Sequence, residues 1–228
     1  MLSQNIFVES IEDKIPIEVG ISANITSQQL QTSPGIIIAH PYGPLGGNRW
    51  NNVVIALQRY FTSKGYVVFC LNFRGCGKSK GKTSWTAMPE RQDYQAVIDY
   101  ALDHPLPEIP KIDRLVLCGY SFGAMIASTM ICTRVPCAYL LISIPLGVLW
   151  ALATTKSSFF KQVPTIDSRR ILCIHGGRDQ FTRSSRIQQL YPSDSVHIIE
   201  EADHFWFDLE FAIIDKVAQW NSSLEYDK

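Results

Sequence analysis

The sequence predicts an α/β protein: a mostly parallel sheet of eight strands, helices on both faces, and an antiparallel hairpin at its N-terminal edge. Three observations carry this. Short, near-continuous apolar runs recur along the chain, as strands buried on both faces do. Between them lie longer stretches with helical spacing, and the two kinds of segment alternate almost throughout. Residues 5–11 and 14–21 alternate apolar and polar around Glu12-Asp13, which reads as a hairpin with one wet face. The buried strands are expected at 35–40, 66–73, 114–118, 138–143, 170–175 and 195–199. Helices are expected at 50–63, 89–103, 123–134, 183–190 and 205–222, the first presenting Val53, Val54, Leu57 and Phe61 as one stripe. The interval 145–168 breaks the alternation and is too short for a large lid, so it reads as a cap-like insertion. With no repeat, low-complexity tract or composition break, residues 1–228 are read as one domain.

The bulk properties narrow the partner. Lysine plus arginine and aspartate plus glutamate each number 21, so the net charge is zero and no basic footprint for nucleic acid is present. No apolar run approaches the roughly 20 residues of a bilayer span, so stable membrane insertion is not expected. The first ten residues show neither a secretory nor a mitochondrial pattern, and the expected location is cytoplasmic. The six cysteines, at 70, 76, 118, 132, 137 and 173, include no Cys-x-x-Cys pair. They read as reduced thiols, with neither a disulfide framework nor a zinc site.

The chemistry starts at Gly119-Tyr120-Ser121-Phe122-Gly123, placed between the run at 114–118 and a helical stretch. Glycines two before and two after Ser121 leave room for a tight strand-to-helix reversal that exposes the hydroxyl. The backbone N–H of Phe122, at the helix start, is placed to receive negative charge on a substrate oxygen. A serine needs a base and an orienting acid, and the carboxyl ends of parallel strands cluster on one rim. Asp179 follows the strand ending at His175, and His204 follows the last strand, giving the order Ser121, Asp179, His204. His175 is read as shaping the rim, His197 as lying within a strand, and His104 as solvated. Asp203 adjoins His204 too closely to support its ring from behind, and Asp167 falls on the wrong rim.

A second oxyanion donor is expected from the loop His40-Pro41-Tyr42-Gly43-Pro44, at Tyr42 or Gly43, since Pro44 has no N–H. Gly77-Lys78-Ser79 looks like the end of a phosphate loop, but the glycine required five residues earlier is Asn72 and no helix follows Ser79. Arg74 is therefore read as a brace. Tyr42, Trp85, Trp150, Phe159, Phe205 and Trp206 lie in or near rim loops and are candidates to line an apolar substrate pocket; packing into the core is the alternative for each.

The elbow around Ser121, the His40-Pro41 loop ending in Gly46-Gly47, the segment Phe73-Arg74-Gly75-Cys76-Gly77 and the two later loops together resemble the α/β-hydrolase superfamily. Within it they resemble the small, nearly lidless serine hydrolases, over residues from about 35 to 220. The resemblance implies a Ser121–Asp179–His204 triad, an oxyanion hole from Phe122 and the loop at 41–43, and no cofactor. Many related chains carry a second histidine where Tyr42 stands. The expected activity is hydrolysis of a small carboxylic ester or thioester with a short acyl group or exposed leaving group. Amide or peptide hydrolysis by the same residues, and a silent scaffold or ligand sensor, are the alternatives.

Overall fold

The computed structural model describes residues 2–24, 32–103, 106–161 and 163–224. Its eight strands form one sheet: β1 (Leu2–Glu9), β2 (Pro16–Ala23), β3 (Thr32–Ala39), β4 (Val67–Leu71), β5 (Lys111–Tyr120), β6 (Cys137–Ile142), β7 (Ile171–Gly176) and β8 (Val196–Ile199). The order is β1-β2-β4-β3-β5-β6-β7-β8. β1 pairs antiparallel with β2 and β2 antiparallel with β4, whereas all other pairings are parallel. The expected hairpin and overall class are present, in the arrangement of an α/β hydrolase, but β8, expected to be buried on both faces, is half-buried because it stands at the edge of the sheet. His104 lies outside the described residues.

The period of two in a strand sorts side chains into two cores. Ile36 and Ile38 of β3 face one way, with Val53, Val54, Leu57 and Phe61 of α1 (Asn52–Ser63) and Ile213 and Val217 of α6 (Glu210–Ser223). Ile37 and Ala39 face the other way, with Tyr94, Val97 and Ala101 of α2 (Met88–Asp103), all of α3 (Phe122–Ala127) except Gly123, and Ile187 of α5 (Ser184–Leu190). The Asn51 side chain accepts from Val53 N at 3.0 Å and starts α1. Among the described residues no helix is long and apolar enough to cross a membrane.

Two helices differ from expectation. The stretch expected helical over 123–134 stops at Ala127, because the hydroxyls of Ser128 and Thr129 turn back onto the carbonyls of Met125 and Ile126 at 3.0 and 2.8 Å. The stretch expected from 205 starts at Glu210, because Trp206 and Asp208 hold φ of 59° and 60° and Asp203 Oδ1 accepts from Phe205 N and Trp206 N. The interval 145–168 carries α4 (Leu149–Leu152) and short 3₁₀ turns at Thr154–Lys156 and Phe159–Lys161.

Candidate active site

The turn between β5 and α3 is as tight as the glycine spacing requires. A Cβ at Gly119 would lie 2.1 Å from the Gly123 carbonyl carbon, and one at Gly123 would lie 2.3 Å from the Ala39 carbonyl oxygen. Strand and helix backbones therefore cross where no side chain fits. Ser121 sits at the apex with φ 55° and ψ −116°, a conformation L residues rarely hold, while its N–H donates to Ile142 O at 2.8 Å.

Ser121, His204 and Asp179 meet at the carboxyl ends of β5, β7 and β8. Ser121 Oγ lies 2.8 Å from His204 Nε2, and His204 Nδ1 lies 2.7 Å from Asp179 Oδ2. The carboxylate accepts, so Nδ1 carries the proton and Nε2 offers its lone pair to the hydroxyl. The Asp179 side chain is fully buried, and its Oδ1 accepts from Phe181 N and Thr182 N at 2.8 and 2.9 Å. Burial opposes its charge, but the hydrogen bond and charge of His204, with the backbone N–H groups, hold its pKa below the ordinary carboxylate value. The segment carrying the imidazole is tied inward: Tyr120 OH donates to His204 O at 2.5 Å, Trp206 Nε1 to Ser143 Oγ at 2.9 Å, and Asn52 Nδ2 to Phe205 O at 3.2 Å.

Among the described residues no other histidine hydrogen-bonds Ser121. His175 Nε2 donates to Thr182 O at 2.8 Å, fixing the loop that bears Asp179; burial lowers its pKa and keeps it neutral. His197 lies within β8. His40 has a role the sequence reading missed. Its Nδ1 donates to Pro41 O at 2.6 Å and its Nε2 accepts from Phe73 N at 2.9 Å, locking the start of the loop at 41–47. Burial pushes its pKa down to about 4. The signal was a histidine in a buried strand end immediately before a proline.

That loop folds on itself, with Leu45 N and Gly47 N both donating to Tyr42 O. The N–H groups of Tyr42 and Phe122 find no acceptor among the described residues. Tyr42 lines the cavity above Ser121, whereas Gly43 does not and turns its Cα toward Cys76, whose Sγ would lie 2.2 Å from an added Cβ. Arg74 braces as expected: its guanidinium holds Asp93 at 2.7 Å, Asp13 at 2.7 Å and Ser10 at 3.0 Å.

The cavity has a volume of about 340 Å³. Tyr42, Leu45, Pro145, Val148, Leu152, Phe181, Phe205 and Phe207 give it apolar walls, and no aspartate, glutamate, lysine or arginine lines it among the described residues. Of the six expected aromatic residues Tyr42 and Phe205 belong to it, and Trp206 is buried outside its wall. Trp85 and Trp150 are solvent-exposed, and Phe159 packs on Phe160 and under the Arg91 guanidinium, all three outside the cavity wall. Phe181 and Phe207 fill the places instead. Their position in loops gave no periodic signal by which to find them.

Residues 19–155, more than half of the chain, match the family described as X-Pro dipeptidyl-peptidase (S15 family). An uncharacterised protein of Rickettsia prowazekii is 29% identical over 181 residues, covering 76% of this chain and 72% of its own. A serine hydrolase homologue from Coxiella burnetii superposes with a TM-score of 0.74 at 20% identity, covering 96% of this chain and 97% of its own. A lidless α/β serine hydrolase from Xanthomonas campestris gives 0.72 at 19% identity, covering 96% and 93%. An esterase from Pyrococcus furiosus gives 0.71 at 18% identity, covering 97% and 92%. At such identities these structures speak for the fold.

Proposed function

The chain belongs to the X-Pro dipeptidyl-peptidase (S15) family, and from that premise we propose a serine hydrolase that cleaves small carboxylic esters or thioesters through an acyl-enzyme. Ser121 Oγ attacks the carbonyl carbon as His204 Nε2 takes its proton, and Asp179 holds the imidazole tautomer and steadies the imidazolium. The N–H groups of Phe122 and Tyr42 receive the oxyanion. His204 then returns the proton to the leaving oxygen or sulfur, and water repeats the attack on the acyl-enzyme. The enzyme works as one domain in the cytoplasm, its imidazole and backbone donors supplying the acid–base and electrostatic chemistry without a cofactor.

The observation that carries this reading is the hydrogen-bonded line Ser121–His204–Asp179 at the floor of an apolar cavity. Peptide hydrolysis is the second reading, favoured by the family's name. Release of an N-terminal dipeptide requires a group to hold the α-ammonium, and among the described residues no carboxylate lines the cavity. Glu90, a buried acid whose charge is felt at Tyr42, has its oxygens engaged by Ser84 N and Ser84 Oγ.

The test compares p-nitrophenyl acetate, butyrate and decanoate and an acetyl thioester with Ala-Pro p-nitroanilide. Short esters or thioesters should be turned over and the anilide should not; efficient anilide cleavage would reverse the assignment. A fluorophosphonate probe should label the wild type and not Ser121→Ala. Asp179→Asn should lose on the order of 10⁴-fold in kcat.

A further inference from the structure

A second cavity, of about 630 Å³, lies between the segment 128–137 after α3 and the segment 163–166. It is far from Ser121: Cys137 opens β6 beside Leu115, six residues before Ser121, or roughly 20 Å along the strand. Two thiols line it, Cys132 half-buried and Cys137 buried. Cys137 Sγ lies 3.3 Å from Val135 O and 3.7 Å from Cys132 O, so the Cys137 thiol is folded back over the short turn that begins at Cys132.

The pair is asymmetric. The neighbouring Cys137 thiol, the backbone N–H groups of Arg134 and Val135, and the Arg134 guanidinium all favour a thiolate at Cys132 and outweigh burial, holding its pKa below the ordinary thiol value. Its neighbour shifts the opposite way: the hydrogen bond to Cys132 and burial push the Cys137 thiol far above its ordinary range. The remaining cysteines lack such a setting. Cys70, Cys118 and Cys173 are fully buried in the strands, and burial raises Cys76 to about 11. An accessible thiolate with a protonated thiol against it is the arrangement of a peroxide-reactive pair.

We propose that Cys132 and Cys137 form a peroxide-reactive dithiol, Cys132 taking oxygen from hydrogen peroxide at the second cavity and Cys137 closing a disulfide. The Cys132 thiolate attacks one peroxide oxygen and breaks the O–O bond, giving Cys132 sulfenic acid and hydroxide, which a solvent proton converts to water. The Cys137 sulfur then bonds to the Cys132 sulfur and displaces the sulfenic oxygen, which leaves as water with the Cys137 proton. Two electrons pass from the thiols to one peroxide, and the protein loses two hydrogen atoms. This step is independent of the ester-hydrolase reading.

The test treats the folded full chain with a few equivalents of hydrogen peroxide, blocks remaining thiols with iodoacetamide under denaturing conditions, and maps the peptides by mass. One disulfide joining residues 132 and 137 is expected, with the four other cysteines alkylated. In Cys137→Ser, dimedone should trap a sulfenic acid at Cys132, and in Cys132→Ser neither adduct nor disulfide should form. Alkylation of native Cys132 should reach half its maximal rate well below the ordinary thiol value of about 8.5. The proposal is overturned if both thiols survive the peroxide, if the disulfide joins a different pair, or if alkylation rises only near the ordinary thiol value of about 8.5.

Discussion

Ser121→Gly is expected to stabilise the protein relative to Ser121→Ala while both variants lose hydrolysis. Both remove the same 2.8 Å contact between Oγ and His204 Nε2, so their difference isolates the backbone. At φ 55° and ψ −116° a side chain stores on the order of 1–3 kcal/mol, which alanine retains and glycine relieves. Against this, glycine frees the unfolded chain by about 0.4–1 kcal/mol. The balance favours glycine by about 1 kcal/mol, which in a domain of this size raises the melting temperature by roughly 3 °C. Urea titration and thermal melts followed by circular dichroism measure it. Ser121→Ala melting at or above Ser121→Gly would refute the claim that the elbow stores strain.

His40 gives a pH signature. Its folded-state pKa of about 4 lies below the ordinary value of 6.5, so the unfolded chain binds the extra proton first. Its contribution is intact above about 6.5 and is lost as pH falls toward 4, amounting to about 2 kcal/mol between pH 7 and pH 5. His40→Gln should lack that part of the pH slope in urea unfolding, and a slope equal to the wild type's would contradict the burial argument. In the cavity wall, Phe207→Ala should raise KM for an apolar ester about fivefold, the effect of losing about 1 kcal/mol of apolar contact, while Trp150→Ala should change it less than twofold. Equal effects in a chain-length series of p-nitrophenyl esters would displace the cavity assignment.

The strands were legible because parallel strands buried on both faces admit little but apolar residues, as the runs through Ile36–Ile38 and Leu115–Cys118 show. That Ser121, Asp179 and His204 would meet was legible for a topological reason, since each follows a strand whose carboxyl end faces the same rim. Helix limits were not. The short end of α3 depends on two hydroxyls competing for carbonyls, and the late start of α6 on left-handed backbone at Trp206 and Asp208. The cavity wall was legible at Tyr42 and Phe205 alone among its aromatic residues outside the elbow. In a loop an apolar residue carries no period to tell its direction, so Trp150 faces solvent while Phe181 turns over His204 at 4.5 Å between ring centroids. Trp206, another aromatic of that loop, is wholly buried and bonded to Ser143.

β8 is a four-residue strand on the outer margin of the sheet, joined among the described strands to β7 alone, and such margins fray first on warming. His204 nonetheless hangs from the interior, because Tyr120, Ser143 and Asn52 moor its segment to β5, to the end of β6 and to α1. The peripheral strand can thus loosen, or vary in length and composition, without carrying the imidazole away from the serine. Durability at the margin and competence at the centre become separable properties, open to independent change.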